Sequence, residues 1–363
     1  MTDPEEPDRL AGAPHPRETA ALYGQEAAEA AFLAAAAGGR APHAWLVTGP
    51  RGVGKATLGW RIARWLVAGD PAAGLAMAPE RPAFRQLAAL ASPQLFLARR
   101  PWDDKAERLR TQITIDEVRA LKAFFQRSAT DGGHRVAIVD AADELNGAAA
   151  NALLKILEEP PRAATLLLVS HHPGALLPTI RSRCRTLRLA PLGADDLARA
   201  LAAAGHAADA ADAPALAALA GGSVGAALAL IAGEGIARYD EIVALLATAP
   251  LDRRRAIALA DAAAGRDGAT RYALTLDLVR HALSRLALAG AGAPVAPASE
   301  AEAGLLARLG AAPAQGRLWA TLVPEIVART THARAVNLDP AQVILDTFLQ
   351  IDAAAAEARA HAA

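Results

Sequence analysis

A glycine-rich stretch that ends in a lysine carries the clearest chemical signal in this sequence. It reads Gly49-Pro50-Arg51-Gly52-Val53-Gly54-Lys55, which is the spacing of a phosphate-binding loop. Glycines let backbone N–H groups converge on phosphate oxygens, and the lysine can reach the outer phosphates. The stretch therefore predicts a nucleotide site, the alternative being a glycine-rich turn with a chance lysine.

The loop departs from this pattern at the position that normally binds magnesium. A serine or threonine usually follows the lysine and ligates the metal, but here the residue is Ala56. Thr57 comes one residue late, and because a helix turns about 100° per residue its hydroxyl cannot take that place without distorting the first turn. We assign both residues to the nucleotide site and expect ATP binding, with magnesium-dependent hydrolysis in doubt.

A carboxylate at the end of an apolar run is the second candidate for nucleotide chemistry. Asp140 follows Val136–Val139, and in phosphate-loop enzymes an aspartate at this strand end holds magnesium directly or through water. A strand that merely stops at an aspartate turn is the alternative. The next residue, which usually orients the attacking water, is Ala141. A missing general base typically costs about 10²–10⁴ in rate, so efficient hydrolysis is not expected.

The surrounding pattern places the loop between a strand and a helix. Residues 44–48 form an apolar run typical of a buried strand, and Leu58, Ile62 and Leu66 repeat at helical spacing behind the loop. Residues 70–111 are rich in proline and charge, and we expect an insertion with one short strand at residues 94–97.

Bulk properties exclude several classes of protein. A chain of 363 residues exceeds the size at which a single core keeps growing, so two or three domains are expected. The formal net charge is zero, which gives no basic footprint for nucleic acid. The single cysteine, Cys184, excludes an internal disulfide and zinc binding through several thiolates. No apolar stretch has the roughly 18–20 residues of a membrane span, so we expect a cytoplasmic protein with no membrane partner.

Two longer motifs resemble those of a known family. The run Asn151-Ala152-Leu153-Leu154-Lys155-Ile156-Leu157-Glu158-Glu159-Pro160 resembles the hallmark of AAA+ clamp-loader subunits, which place ring-shaped sliding clamps on DNA. Ser182-Arg183-Cys184 is similar to the Ser-Arg-Cys signature of the same family. An ordinary amphipathic helix is the alternative for the first motif.

The resemblance implies an α/β fold class with a defined order of domains. Residues 18–190 would form an AAA+ nucleotide-binding domain with a parallel sheet flanked by helices. Residues 191–235 would form a small helical lid, and residues 236–363 an all-α collar that assembles subunits into a ring. We expect residues 1–17 to be a flexible tail.

The resemblance also implies roles for two further residues. Arg183 would act in trans on the nucleotide of a neighbouring subunit, a contribution worth roughly 10³–10⁵ in rate, and Ser170 would sense the outermost phosphate. The family's second sensor arginine is missing from the stretch 225–228. A non-hydrolysing ring member is therefore expected, in complex with ATPase motor subunits and a delta subunit, and through them with the sliding clamp and primer-template DNA.

Two other functions stay open at this point. Lys55, Asp140 and Ser170 would permit an active clamp-loader ATPase, which Ala56 and Ala141 oppose. A stand-alone phosphate-loop nucleotide switch would need neither a trans-acting arginine nor a collar.

Overall fold

The chain folds into two compact units in the computed structural model. The structure describes residues 6–10, 12–38, 42–70, 74–126, 133–207, 209, 212–248, 250–264 and 268–360. The first unit comprises Met1–Ala208 and Gly221–Leu228, and the second comprises Asp209–Ala220 and Ala229–Ala363. None of the helices in these described ranges is both long and apolar enough to cross a membrane.

A parallel sheet forms the centre of the first unit. The strands in chain order are β1 (Ala44–Thr48), β2 (Leu95–Ala98), β3 (Trp102–Asp103), β4 (Arg108–Leu109), β5 (Arg135–Asp140), β6 (Ala164–Ser170) and β7 (Arg185–Arg188). The main sheet has the order β2-β5-β6-β1-β7 and every pairing in it is parallel, while β3 and β4 form a separate antiparallel hairpin. Strands β1 and β6 are buried along their whole length, as expected for parallel strands covered on both faces.

Helices cover this sheet on its two faces. They are α1 (Glu26–Ala37), α2 (Lys55–Ala68), α3 (Pro82–Ala88), α4 (Ile115–Gln126), α5 (Gly147–Glu158), α6 (Pro178–Arg181) and α7 (Ala194–Ala203). Helix α5 begins at Asn146, whose side chain accepts the N–H of Ala149 at 2.9 Å as an N-cap. Its inward residue Leu153 joins Leu121 of α4 and Leu168 of β6 in one buried core.

The described regular elements of the second unit are all helices. Its helices are α8 (Ala213–Ala220), α10 (Gly235–Ala247), α11 (Arg253–Ala264), α12 (Gly268–Gly290), α13 (Glu300–Leu309), α14 (Pro313–Ala335) and α15 (Pro340–Ala360), and the division between the units falls inside α9 (Val224–Ala232). A buried Glu302 accepts hydrogen bonds from Tyr239 at 2.6 Å and from Arg285 at 2.5 Å. These contacts fasten α10, α12 and α13 to one another.

The predicted fold class is confirmed, with two corrections. The strand expected inside an insertion is instead the edge strand of the main sheet, because the apolar stretch 95–98 pairs with β5. The segment expected to be a flexible tail is packed in its described part, residues 6–10 and 12–17: His15 is 1% exposed, and Arg17 pairs with Glu6 at 2.7 Å. The rest of that prediction, for residues 1–5 and 11, lies outside the described residues. The division into nucleotide domain, lid and collar stays a prediction.

Candidate functional site

A cavity of about 460 Å³ lies beside the glycine-rich loop, entirely within the first unit. Its wall includes the loop from Arg51 to Thr57, Asp140 at the end of β5, and Leu228. A volume of this size falls in the range of small-molecule sites and is sufficient for a nucleoside. The structure therefore brings Asp140 and most of the predicted loop residues to one cavity.

The loop is held in shape by a turn far along the chain. Gly52 has φ +78°, and a Cβ there would lie 2.3 Å from the Ser223 hydroxyl oxygen, so only glycine fits without displacement. Ser223 donates a hydrogen bond to the carbonyl of Arg51 at 2.8 Å, and the N–H of Gly225 donates to the carbonyl of Gly52 at 3.2 Å. The turn 223–225 thus fixes the outer face of the loop.

Lys55 begins α2 and folds back onto the loop. Its Nζ donates to the carbonyl of Gly49 at 2.8 Å and to that of Pro50 at 2.6 Å. Burial lowers the pKa of Lys55 to about 8, against the opposing effect of the Asp140 and Asp143 carboxylates. The lysine therefore braces its own loop in this conformation and remains mostly protonated at neutral pH.

The two aspartates near Lys55 have pKa values that are shifted in opposite directions. Burial raises the pKa of Asp140 to about 7, and the nearby Asp8 and Glu144 carboxylates add to this rise. Burial also acts to raise the pKa of Asp143, but the N–H of His171, which donates to its carboxylate at 2.9 Å, outweighs it and holds the pKa below its usual value. Asp143 therefore carries the firmer negative charge at neutral pH.

Sequence reasoning assigned neither Asp143 nor Glu144 to the site. Both lie in a short 3₁₀ turn, Ala142–Glu144, directly after β5. Glu144 lines the cavity with Asp140, and its carboxylate lies 2.9 Å from Arg100. The sequence did contain a signal for them, since both carboxylates lie only three and four residues beyond the end of β5. A tight turn after the strand can bring such residues back towards the nucleotide site.

One of the two predicted metal positions has no oxygen donor. Ala56 offers no hydroxyl, whereas Asp140 offers a carboxyl group whose pKa is raised by burial. Magnesium binding normally uses an ionised carboxylate together with the loop hydroxyl. These two positions therefore lack the donor set of a magnesium-dependent phosphate-loop enzyme.

Ser170 and His171 follow one another at the end of β6. The Ser170 hydroxyl is buried and helps to lower the pKa of the Asp143 carboxyl, whereas His171 lines the cavity. Burial, helped by the charge of Lys55, lowers the pKa of His171 to about 4, so its ring is neutral. The predicted sensor position is thus next to the cavity, with His171 as the residue on its wall.

Arg183 lies apart from the residues that line this cavity. Its side chain is 37% exposed, donates to the carbonyl of Thr179 at 3.1 Å and pairs with Glu158 at 2.9 Å. Glu158 belongs to the motif at residues 151–160, so the structure joins the two motifs that carried the family resemblance. The predicted site residues therefore fall in two places, the cavity and this exposed surface.

Comparison with known proteins confirms the family resemblance. Residues 24–193 match the family described as DNA polymerase III, delta subunit. The chain is 43% identical over 149 residues to the DNA polymerase III subunit delta' of Pseudomonas aeruginosa, covering 40% of this chain and 43% of that protein. It is 34% identical over 153 residues to the subunit delta' of Escherichia coli, covering 42% and 44%.

A second type of subunit matches the chain over a similar length. The DNA polymerase III subunit gamma/tau of Mycobacterium bovis is 33% identical over 177 residues, covering 46% of this chain and 28% of that protein. The chain thus matches less than half of the length of these curated relatives. The similarity to the DNA polymerase III delta family is established for residues 24–193.

Proposed function

We propose that this chain, whose residues 24–193 match the DNA polymerase III delta subunit family, is the delta' subunit of a bacterial clamp loader. In this role it takes part in ATP-dependent loading of the sliding clamp onto primed DNA. Its direct partners are the ATPase motor subunits and a delta subunit. The clamp and the primer-template DNA are reached through the complex.

The observation that carries this proposal is the placement of Arg183. The side chain is exposed, lies outside the wall of its own cavity, and is held in place by Glu158 and Thr179. A guanidinium fixed on a surface can stabilise the charge that develops on a nucleotide in an adjoining subunit. Pairing with Glu158 orients Arg183 before a neighbour docks, which reduces the cost of ordering a long side chain on assembly.

The cavity of this chain supports nucleotide binding without efficient hydrolysis. Its volume and its glycine loop suit a nucleoside phosphate, and Lys55 keeps a positive charge at the loop. Ala56 supplies no hydroxyl for magnesium, and Ala141 supplies no general base. We therefore assign ATP as a ligand that this chain holds and does not turn over efficiently.

The test is ATP turnover by a clamp loader reconstituted with this chain. Replacing Arg183 by alanine should lower turnover at the adjoining motor site by about 10³-fold or more, with the remaining sites setting the residual rate. Arg181→Ala is the matched control, because Arg181 is an exposed arginine two residues away and should leave turnover close to wild type. Clamp loading onto primed DNA should fall together with turnover.

Two outcomes would contradict the proposal. If Arg183→Ala and Arg181→Ala have equal and small effects, neither arginine acts in trans. If the isolated chain hydrolyses ATP and Lys55→Ala abolishes that activity, the chain is itself a motor. In the second case the missing groups at positions 56 and 141 would be compensated by other residues.

A further inference from the structure

The N-terminal segment lies over the nucleotide cavity. We call residues 6–10 and 12–22 the strap. Asp8, Leu10 and Leu22 are among the strap residues that line the cavity. Leu22 packs against the loop so closely that a Cβ at Gly54 would lie 2.5 Å from its Cδ1 atom. The strap is therefore part of the wall of the site and covers the phosphate-binding loop.

Two buried arginines of α2 hold the later part of the strap. Arg61 donates to the carbonyl of Ala20 and pairs with Glu29 at 2.8 Å. Arg64 donates to the carbonyl of Thr19 at 2.9 Å and also to that of Arg17. These bonds give the buried guanidinium groups partners on the strap backbone, so this part of the strap is a fixed portion of the fold.

The earlier part of the strap is held by an ionic latch instead. Arg99, which follows β2, donates to the Asp8 carboxylate and pairs with Glu6 at 3.1 Å. Glu6 also accepts a hydrogen bond from Arg17 at 2.7 Å, and His15 lies 3.5 Å from Asp8. His206 Nε2 also lies 3.0 Å from the carbonyl oxygen of Gly12. Charge pairs are therefore the larger part of the attachment, and a single neutralising substitution can weaken them.

The latch brings a negative charge to the cavity. Burial acts to raise the pKa of Asp8, but the contact with His15 and the charge of Arg99 outweigh it, so its pKa is lowered and the carboxylate is ionised at neutral pH. Asp8 is close enough to Asp140 to raise the pKa of that group. Arg99 pairs with the Asp8 carboxylate and offsets part of its charge, and the strap also places Arg9 and Glu18 on the cavity wall. Of the latch residues Asp8, Glu6 and Arg99, only Asp8 lines the cavity, so phosphates that enter beside it meet a repulsion that Arg99 reduces and that low water content strengthens.

We propose that the strap is a gate on the nucleotide site, closed by the latch of Asp8, Glu6 and Arg99. In the closed state Asp8 repels the phosphates of a nucleotide, and binding requires the earlier part of the strap to move. This inference rests on the proposed function only in taking a nucleotide as the ligand of the cavity. The action of Arg183 in trans does not depend on the gate.

The test compares nucleotide affinity in full-length variants. A fluorescent N-methylanthraniloyl derivative of ADP is titrated into wild type and Asp8→Asn, which removes the charge and keeps the shape. Loss of one repulsive charge and of the ion pair should tighten Kd by about fivefold or more. Asp104→Asn, an exposed carboxylate in the β3–β4 turn, is the control with the same charge change and should bind like wild type.

Hydrogen exchange provides a second, independent readout. The amides of Arg9 and Ala13, which are hydrogen-bonded within the strap, should exchange faster in Asp8→Asn than in wild type, and faster in wild type when the ADP derivative is added. If Asp8→Asn lowers the melting temperature, Glu6→Gln opens the same latch from a more exposed position, since the Glu6 side chain is 24% exposed and that of Asp8 only 1%.

The gate is refuted by either of two results. One is an unchanged Kd in both latch variants; the other is strap exchange that does not respond to the nucleotide derivative. Absence of any binding in wild type and in both variants also refutes it. None of these results bears on ATP turnover of the assembled complex, so failure of the gate and failure of the trans-acting role of Arg183 are separate outcomes.

Discussion

Replacing Asp140 by asparagine should stabilise the first unit at neutral pH and leave its stability unchanged in acid. The pKa of Asp140 rises from 3.8 to about 7 on folding, chiefly because the group is buried. A group whose pKa is higher in the folded state binds its proton more tightly there, so its contribution to stability is lost as pH rises through the folded pKa. Wild type therefore loses stability between about pH 4 and pH 7 at this residue.

The size of this effect follows from the shift. Each pKa unit corresponds to 1.36 kcal/mol, so a rise of roughly three units gives about 4 kcal/mol as an upper limit for Asp140 at pH 8. Asp140→Asn should recover up to this amount at about pH 8 and almost none at about pH 4.

Urea unfolding followed by tryptophan fluorescence measures the difference. Four of the five tryptophans lie in the first unit and only Trp319 lies in the second, so the signal reports mainly on the first unit. Unfolding curves for wild type and Asp140→Asn at several pH values between about 4 and 8 give the free energy of unfolding as a function of pH.

Asp143→Asn is the matched control, because the pKa of Asp143 is shifted in the opposite direction to that of Asp140. Asp143 has a lowered pKa and accepts the N–H of His171, so its stabilisation is present at neutral pH and is lost as pH falls towards its folded pKa. The variant should lose about 1–3 kcal/mol at pH 8. Two results would contradict the reasoning: Asp140→Asn destabilises the unit as Asp143→Asn does, or its effect is the same at both ends of the pH range. Either result would mean that ionisation of the buried Asp140 does not destabilise the folded state.

Two further predictions concern residues outside the phosphate chemistry. Glu302→Gln in the second unit should cost about 3–5 kcal/mol of unfolding free energy, because it leaves the buried Arg285 guanidinium without its charge partner. Urea unfolding followed by far-UV circular dichroism measures this loss, and a value below about 1 kcal/mol would mean that the pair is solvated. Gly52→Ala should lower the melting temperature and weaken binding of the fluorescent ADP derivative, since its Cβ would lie 2.3 Å from the Ser223 hydroxyl. Gly69→Ala, also at positive φ but with open space around it, should affect stability less and leave binding unchanged.

Local patterns in the sequence were sufficient for the elements that carry the loop. The apolar run at residues 44–48, the glycine spacing and the helical repeat after Lys55 correspond to β1, the loop and α2. These predictions succeed because each depends on residues within a few positions of one another. The family motif at residues 151–160 likewise falls on α5, with its start moved back to Gly147 by the Asn146 cap.

Contacts between distant residues were decided only by tertiary packing. Three such contacts are the hydrogen bond from Ser223 to the loop, the ion pair of Glu158 with Arg183, and the ion pair of Asp8 with Arg99. No periodicity in the sequence relates the two residues of any of these pairs. The prediction of a flexible N-terminal tail was wrong for the described strap residues. A segment rich in proline and charge is expected to be exposed as long as the partners of its charges are unknown.

The charge states of the site also depend on the folded structure. The sequence predicts that Asp140 ends a strand beside the loop, but burial and the nearby carboxylates raise its pKa to about 7. Asp143, three residues away in sequence, has a lowered pKa because the chain after β6 directs the N–H of His171 at it. Residue type sets which groups can ionise, whereas solvent exclusion and the positions of neighbouring charges determine which of them do so.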